Sequence, residues 1–512
     1  MIFDIIAFIV ITISVLLCSI KYIHIFQLNS YAHDTQKRWF KNNTKKLIPN
    51  IVFPLLGSIL LLISPVAVCI VFVFAGIFNR YKKAKKPVVF TARVKRLLLT
   101  IMLISVILPL IFFIMNTKLL IICSLIVYLL NPLMILIGDT LNAPAEKAVK
   151  QYYINDAKKI LSSSNASVIG VTGSYGKTSV KYYLNSLLNS QFDTLMTPES
   201  FNTPMGVVKT IRESMNARHE YFICEMGARR VGDIKEICDI VNPDFGIITS
   251  VGPQHLETFG SIENVTNTKF ELADALSQSS VLFLNGDNEY ISNNIKNYKE
   301  KRKVITYGIG KENDYRFEVI KVSSKGTEFS VIHGDNSYTY STKLIGEHNV
   351  LNITVAIAVA DTLGISPEKL VIPVKRLNSV AHRLELSDNG KAIIIDDAYN
   401  SNPAGAKAAL DTLALFEEYK ILITPGMVEL GNKQYECNKT FGSQAAKVCD
   451  YIILVGKKQA EPILDGMGDF PEEKYFVADT VTEAINHAYA LNTTDKKKVI
   501  LLENDLPDNY LA

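Results

Sequence analysis

A glycine-rich stretch with one lysine, Val171-Thr-Gly-Ser-Tyr-Gly-Lys-Thr-Ser179, has the composition of a phosphate-binding loop. An apolar run precedes it and a helical pattern follows, which predicts a strand, a glycine turn and a helix N-terminus. Backbone N–H groups and the helix dipole would then face an anion. Lys177 would reach the β- and γ-phosphates of a nucleotide, and the Thr178 hydroxyl would bind Mg²⁺. The predicted nucleotide contacts of the loop are Gly173, Ser174, Gly176, Lys177, Thr178 and Ser179.

Two apolar segments downstream end in residues that could act on a bound nucleotide. The segment 221–227 is typical of a short buried strand that ends at Glu225, and the segment 245–251 is typical of a second strand that leads to His255. Ligands of open α/β sheets bind at the carboxyl ends of the strands. A single histidine after a strand is more often structural, but a glutamate and a histidine after consecutive strands beside a phosphate loop favour a catalytic site.

Several further motifs follow in order and resemble those of the Mur ligase family. Besides the phosphate loop, the resemblance rests on Cys224-Glu-Met-Gly227, Ile248-Thr-Ser-Val-Gly-Pro-Gln-His255, Thr268-Lys-Phe-Glu-Leu272, Gly346-Glu-His-Asn-Val-Leu-Asn352, Ala381-His-Arg-Leu-Glu385 and Asp396-Asp-Ala-Tyr-Asn-Ser-Asn-Pro403. A later segment, Gly426-Met-Val-Glu-Leu-Gly431, resembles the member that adds D-alanyl-D-alanine in particular. The similarity covers about residues 165–512.

The resemblance implies an ATP-dependent carbon–nitrogen ligase of peptidoglycan synthesis, with ATP and Mg²⁺ as cofactors. A carboxylate would attack the γ-phosphate to give an acyl phosphate, and an amine would then displace phosphate. Catalysis of this kind depends mostly on positioning and on cationic stabilisation. The catalytic residues implied are Lys177, Glu225, His255 and Lys269, and the metal ligands are Thr178, Glu225, His255 and Lys269. The family's lysine at the position of Lys269 is carbamylated by CO₂; the plain alternative is a surface lysine.

The resemblance also implies which residues bind the rest of the nucleotide. His348 and Asn352 lie four positions apart, so they share one face of a helix, and the family places that face at the adenine. A helix N-terminus whose polar residues only cap it is the alternative. Arg383 would meet the phosphates and Asp397 the ribose hydroxyls, although an Arg–Asp pair of this kind is otherwise a common surface ion pair.

The expected fold is an α-helical membrane region followed by α/β domains. We assign residues 1–140 to transmembrane helices and 141–164 to a linker helix at the membrane surface or packed on the next domain. Residues 165–380 form a P-loop central domain with a mostly parallel sheet. Alternating strand-like and helical runs in 381–512 predict a smaller Rossmann-like C-terminal domain.

The membrane expectation rests on apolar runs and on charge. Residues 1–150 carry 17 Lys and Arg against 4 Asp and Glu, whereas the remainder carries 37 against 46. Basic clusters beside long apolar runs favour an anionic membrane surface, and the acidic remainder argues against nucleic acid as a partner. The seven cysteines show no metal-ligand or disulfide spacing.

The number of membrane segments stays open between two versions. Residues 2–20, 97–115 and 119–137 are each long enough to span, whereas the uncharged residues 47–79 are long for one span and short for two. They could form a re-entrant hairpin that turns near Ser64-Pro65, which makes five segments, or a single kinked helix, which makes four. Basic loops tend to stay cytosolic, so the sequence predicts a multi-pass protein of the cell membrane with cytosolic catalytic domains.

The chain departs from the family at its start. Soluble members begin with a domain that holds the UDP part of the substrate, and apolar segments stand in that place here. We therefore expect as partners membrane lipid, a UDP-linked or lipid-linked cell-wall precursor, and an amino acid or a dipeptide such as D-Ala-D-Ala. The same chemistry on another acid, such as folyl- or poly-glutamate, and a non-enzymatic ATP-binding membrane scaffold are the alternatives.

Overall fold

The computed structural model describes residues 1–81, 87–114, 116–254, 256–399, 401–428, 430–457, 460–493 and 496–504. The chain divides into an N-terminal unit, Met1–Tyr152, and a C-terminal unit that begins at Tyr153. The described elements of the N-terminal unit are helices: α1 (Ile2–Leu28), α2 (His33–Asn42), α3 (Thr44–Leu61), α4 (Pro65–Phe78), α5 (Ala92–Phe113), α6 (Thr117–Leu129) and α7 (Asn131–Ser164), which runs on past residue 152.

The apolar runs of the N-terminal unit form helices, of which one breaks near the predicted place and another breaks where a single span was expected. The run 47–79 is split between α3 and α4, where Ser64 accepts a hydrogen bond from the Val66 N–H and Pro65 begins the new helix. The run 119–137 is not one helix, because α6 and α7 meet at an angle of 84°. Three of the described helices (α1, α3 and α5) could cross a membrane by length and composition, and the bent pair would make a fourth.

Several polar side chains inside the N-terminal unit form hydrogen bonds or ion pairs between helices. The Tyr22 hydroxyl donates to Asn50 Oδ1 at 2.6 Å, and Asn50 Nδ2 donates to the Tyr128 carbonyl at 3.3 Å. Asp139 accepts from Arg93 at 2.8 Å and lies 3.0 Å from the His33 ring nitrogen. Because buried polar groups are stable only when they are hydrogen-bonded, these contacts fix which faces of the helices meet.

The first sheet of the C-terminal unit is parallel for most of its width. Its described strands lie in the order β2-β3-β1-β4-β5-β6-β7-β8-β9, with parallel pairing from β2 to β7 and antiparallel pairing from β7 to β9. The strands are β1 (Ser167–Thr172), β2 (Thr194–Met196), β3 (Tyr221–Glu225), β4 (Phe245–Ile248), β5 (Val281–Asn285), β6 (Lys303–Gly308), β7 (Tyr315–Ser323), β8 (Gly326–His333) and β9 (Asn336–Thr342).

Helices cover both faces of this sheet. Successive residues of β1 point to opposite faces, so Ile169 packs in one buried cluster with α14 and Val168 packs in another with α10. Residues 154–161 of α7 join the second cluster, which is the packed outcome for the predicted linker helix, although that helix begins at Asn131. The helices are α8 (Lys177–Leu188), α9 (Pro204–Ser214), α10 (Asp233–Val241), α11 (Leu256–Phe259), α12 (Ile262–Ala275), α13 (Glu289–Lys299), α14 (Glu347–Thr362) and α15 (Val371–Lys375).

The second sheet is smaller and has one antiparallel edge strand. Its described order is β10-β11-β15-β12-β13-β14, with β10 antiparallel and the other pairings parallel. Its strands are β10 (Glu385–Asp388), β11 (Ala392–Asp397), β12 (Tyr419–Thr424), β13 (Tyr451–Val455), β14 (Tyr475–Ala478) and β15 (Lys498–Glu503). Its helices are α16 (Pro403–Leu413), α17 (Gln434–Val448), α18 (Ala460–Met467) and α19 (Val481–Ala490). The α/β class with mostly parallel sheets is thus confirmed.

Candidate active site

The phosphate loop between β1 and α8 needs glycine at two positions. Gly173 has φ +149°, and a Cβ added there would lie 2.0 Å from Thr249 Oγ1. Gly176 has φ +82°, and a Cβ there would lie 2.7 Å from Asn352 Oδ1. Both positions combine a backbone conformation that side chains rarely adopt with a close neighbour, so no other residue fits without a shift of the loop.

The segment that follows β4 fastens the loop. The Ser174 N–H donates to the Ser250 carbonyl at 2.8 Å, and the Tyr175 N–H donates to Ser250 Oγ at 2.8 Å. The next N–H groups are those of Gly176, the N-cap residue, and of the first turn of α8, and N–H groups at the start of a helix have no partner within it. The open donors are therefore those of the helix N-terminus that begins at Lys177.

The Lys177 side chain lies over this turn. Its half-buried ammonium donates to the Gly173 carbonyl at 2.7 Å and the Ser174 carbonyl at 3.2 Å. Burial lowers the pKa of Lys177 to about 8, Glu225 opposes that shift, and Arg383 adds to it. A phosphate group would restore the favourable surroundings of the charged form. Ser179 lies in the same first turn of α8 and is partly buried.

Glu225 is the carboxylate at the end of β3, and it is 1% exposed. Its Oε1 accepts from Thr178 Oγ1 at 3.1 Å and from Asn202 Nδ2 at 3.0 Å, and its Oε2 lies 2.9 Å from Lys181 Nζ. Burial raises the pKa of Glu225, but Lys181 and Lys177 outweigh it and hold the pKa below its usual value. An ionised carboxylate and a hydroxyl, both oxygen donors, are suited to Mg²⁺.

Lys269 is buried in α12, with 3% of its surface exposed, so the surface-lysine alternative is wrong. Burial lowers the pKa of Lys269 to about 7, Lys177 adds to that shift, and Glu271 and Asp233 oppose it. A large fraction of this amine is therefore uncharged at neutral pH, and only the uncharged amine can react with CO₂. His255, the other predicted metal ligand, lies outside the described residues.

His348 and Asn352 occupy the first turns of α14. Gly346 precedes that helix, and no side chain caps it, so the alternative that these polar residues serve only as caps is wrong. Burial lowers the pKa of His348 to about 4, which keeps the ring neutral and suited to stacking. The Asn352 amide approaches Gly176, so the structure places it beside the phosphate loop.

Arg383 and Asp397 lie at the start of the second sheet, just before β10 and at the end of β11. The Arg383 guanidinium stacks on the Tyr399 ring at 4.3 Å and is close enough to Lys177 to lower the pKa of that lysine. Asp397 Oδ1 accepts from the Leu384 N–H at 3.2 Å. Burial and the neighbouring Glu503 raise the pKa of Asp397 to about 7, although Arg383 opposes them. Both side chains are partly buried.

Three residues of this site were not predicted from the sequence. Lys181 and Asn202 both contact Glu225, and Glu503 lies opposite Asp397 in the register of β11 and β15. Lys181 follows Lys177 at helical spacing, which was the available signal, since residues four apart share a helix face. Glu503 is the last residue of β15, as Glu225 is the last residue of β3, so its place at the end of a strand was the available signal.

Comparisons with known proteins match most of the C-terminal unit. The family model of the Mur ligase middle domain matches residues 171–360, and that of the Mur ligase glutamate ligase domain matches residues 382–503. A UDP-N-acetylmuramoyl-tripeptide–D-alanyl-D-alanine ligase of Bacillus subtilis is 34% identical over 64% of this chain and 69% of the relative. The ligase of the same name from Escherichia coli is 30% identical over 60% of this chain and 69% of the relative.

Solved structures give the same result. MurF from Acinetobacter baumannii superposes with a TM-score of 0.63 at 25% identity, over 70% of this chain and 77% of that one. MurF from Thermotoga maritima, solved with ADP, shares the fold. Its TM-score is 0.61 at 24% identity, over 71% of this chain and 81% of that one.

These comparisons correct the predicted localisation. The similar proteins are MurF ligases, which are cytosolic enzymes, so the prediction of a multi-pass protein of the cell membrane with cytosolic catalytic domains is wrong, and membrane lipid as a partner has no support. The prediction rested on the length and composition of apolar runs. Such runs bury equally well against protein, and 44% of the apolar window of α1 is buried within the protein itself.

Proposed function

Because the chain belongs to the Mur ligase family, whose members are ATP-dependent ligases that form amide bonds, we propose that it adds D-alanyl-D-alanine to a UDP-linked muramoyl tripeptide. The relatives' printed name supports that pair of substrates. The observation that carries the proposal is the contact of Thr178 with Glu225 at the N-terminus of α8, beside Lys177. Because members of this family are ligases, the alternative hypothesis of a non-enzymatic ATP-binding scaffold is not supported.

The first chemical step forms an acyl phosphate. A carboxylate oxygen of the tripeptide attacks the γ-phosphorus of ATP, the bond to the β-phosphate oxygen breaks, and ADP leaves. Negative charge spreads over the phosphoryl oxygens during this step. Lys177 and the first-turn N–H groups of α8 stabilise that charge at fixed positions, which is effective because the donors need no reorganisation. Arg383 approaches the same phosphates from the second sheet.

The second step forms the amide. The uncharged amine of the dipeptide attacks the acyl carbon, phosphate leaves with the bonding electrons, and the nitrogen loses a proton. We assign ATP binding to residues 165–380 and the incoming dipeptide to residues 381–512. His348 stacks on the adenine, Asn352 binds the nucleotide close to the phosphate loop, and Asp397 accepts hydrogen bonds from the ribose.

The metal would be held by oxygen donors of this chain. Thr178 and Glu225 fit one Mg²⁺, which neutralises phosphate charge when bound. We assign a second cation to His255 and Lys269. Lys269 would first react with CO₂, with formation of an N–C bond and release of one proton, so that a carboxylate-like oxygen replaces the amine. The burial and the lowered pKa of Lys269 support this assignment.

A single assay tests the proposal. Purified full-length protein is incubated with ATP, Mg²⁺, D-Ala-D-Ala and UDP-N-acetylmuramoyl tripeptide, and the product is followed by mass spectrometry alongside ADP release. We expect the tripeptide to gain one dipeptide for each ADP formed, and Lys177→Met to abolish both signals. Release of ADP that does not depend on the tripeptide, or no mass gain with folded protein, would refute the proposal.

A further inference from the structure

Lys181 is a second lysine on α8, one helical turn after Lys177, and its side chain is completely buried. Its ammonium lies 2.9 Å from Glu225 Oε2 and donates to the Glu199 carbonyl. The chemistry described above does not use this lysine. A fully buried lysine is rare unless it is paired, so its two contacts account for its presence there.

The contact with Lys181 separates the roles of the two carboxylate oxygens of Glu225. Oε2 is turned toward Lys181, whereas Oε1 is turned toward Thr178 at 3.1 Å. Without a partner for Oε2, the carboxylate could rotate about its last side-chain bond, because that torsion is broad and roughly two-fold. The ion pair with Lys181 therefore fixes the plane of the carboxylate, so that the other oxygen points at Thr178 and the phosphate loop.

The second contact of Lys181 reaches the turn that carries Asn202. Glu199 lies in this turn with φ +41°, a strained conformation for a residue other than glycine, and its carbonyl accepts from Lys181. Asn202 Nδ2 then donates to Glu225 Oε1 at 3.0 Å, and the Thr197 hydroxyl accepts from the Glu225 N–H at 3.1 Å. One ammonium thus links α8, the turn 197–202 and the end of β3.

A buried ion pair alone would be a weak explanation. Such a pair often contributes little net stability, since apolar residues of the same volume do as well or better. The ion pair of Lys181 with the predicted metal ligand Glu225 is better explained if the lysine orients the carboxylate. We propose that Lys181 is a positioning residue for Mg²⁺–nucleotide binding, which holds Glu225 with Oε1 beside Thr178 and holds Asn202 against that same oxygen. This inference rests on the proposed role of Glu225 as a metal ligand.

The test measures how strongly Mg²⁺ enhances nucleotide binding. Binding of ADP to the full-length protein is measured by calorimetry with Mg²⁺ and with EDTA, and the ratio of the two affinities is the Mg²⁺ enhancement. We expect Lys181→Met to reduce this enhancement about 10- to 100-fold, the usual effect of removing a residue that orients a metal ligand. Binding in EDTA should change little, and Lys181→Arg should restore part of the enhancement.

Controls separate orientation from simple stability. Lys235→Met removes a lysine whose ion pair with Asp239 is exposed, and it should leave the enhancement unchanged. If Lys181→Met does not fold, Lys181→Gln, which keeps a donor but no charge, should show the same loss. A variant with a lower melting temperature and an intact Mg²⁺ enhancement would overturn the proposal.

Glu225→Gln distinguishes failure of the positioning role of Lys181 from failure of the metal-ligand role of Glu225. Loss of the enhancement in Glu225→Gln together with its retention in the Lys181 variants would refute only the positioning role. Retention of the enhancement in Glu225→Gln would refute the metal-ligand role, and with it the proposed use of this site. Loss in both supports the inference.

Discussion

Replacing Gly173 by alanine should damage the phosphate loop far more than the same change at another glycine with positive φ. An alanine with such a φ costs about 1–3 kcal/mol. At Gly173, the new Cβ would also lie 2.0 Å from Thr249 Oγ1 and 2.9 Å from the Ser250 nitrogen, so the loop must move. Gly364 is the matched control, because its φ is +94° and nothing lies within 4 Å of a Cβ there.

The expected size of the effect follows from the donors that the loop presents. A hydrogen bond to a charged group is worth about 1.5–3 kcal/mol, and about 1.4 kcal/mol is a factor of ten in affinity. Loss of one loop contact to phosphate should therefore weaken ADP binding at least about tenfold in Gly173→Ala. Gly364→Ala should lose stability but bind ADP normally.

Calorimetric titration with ADP and thermal unfolding of both variants provide the test. Equal ADP affinities for Gly173→Ala and Gly364→Ala, with both proteins folded, would refute the reasoning, because both changes place alanine at a positive φ but only Gly173 lies in the phosphate loop against a close neighbour.

Three further predictions concern single residues. Lys269→Ala should abolish ligase activity, and activity of the unchanged protein should fall in bicarbonate-depleted buffer and return when bicarbonate is added; activity that survives the substitution would remove the carbamate role. The pKa of Asp397 rises from 3.8 to about 7 on folding, so between these values the native state binds a proton that the unfolded state has lost. The free energy of unfolding should therefore fall as the pH rises from about 4 to 7. Urea unfolding across that range should show a smaller fall in Asp397→Asn. Asn402 caps α16 by accepting from the Gly405 N–H at 2.9 Å. Asn402→Ala should therefore lower the free energy of unfolding in urea by about 1 kcal/mol, and an unchanged unfolding midpoint would contradict a stabilising role of this cap.

The parts of the site that depend on local sequence could be predicted. Glycine spacing, the lysine and the following helix identify the phosphate loop, and the end of an apolar strand identifies Glu225, because carboxyl ends of parallel strands share one edge of a sheet. Contacts between distant segments could not be predicted in this way. Asn202 reaches Glu225 through a turn, and nothing in its own neighbours indicates that partner.

Burial was the property that the sequence pattern least determined. Lys181 is fully buried, and its ammonium donates to the Glu199 carbonyl in the 197–202 turn, a distant segment that its own neighbours in sequence do not indicate. The strands β7 to β9 were also missed, although Tyr315 and Phe317 alternate with Arg316 and Glu318 in the manner of a half-buried strand. The apolar runs of the N-terminal unit led to the wrong localisation, because length and hydropathy do not say what covers a helix.

The shape of the phosphate loop also bears on how this protein could be engineered. Its two glycines are constrained by Thr249 and Asn352, residues that come from other segments of the chain. A chimaera that received only residues 173–176 would have the sequence of the loop but not the neighbouring residues that constrain its conformation. A transplant of this nucleotide site would have to carry the segment after β4 and the start of α14 as one graft.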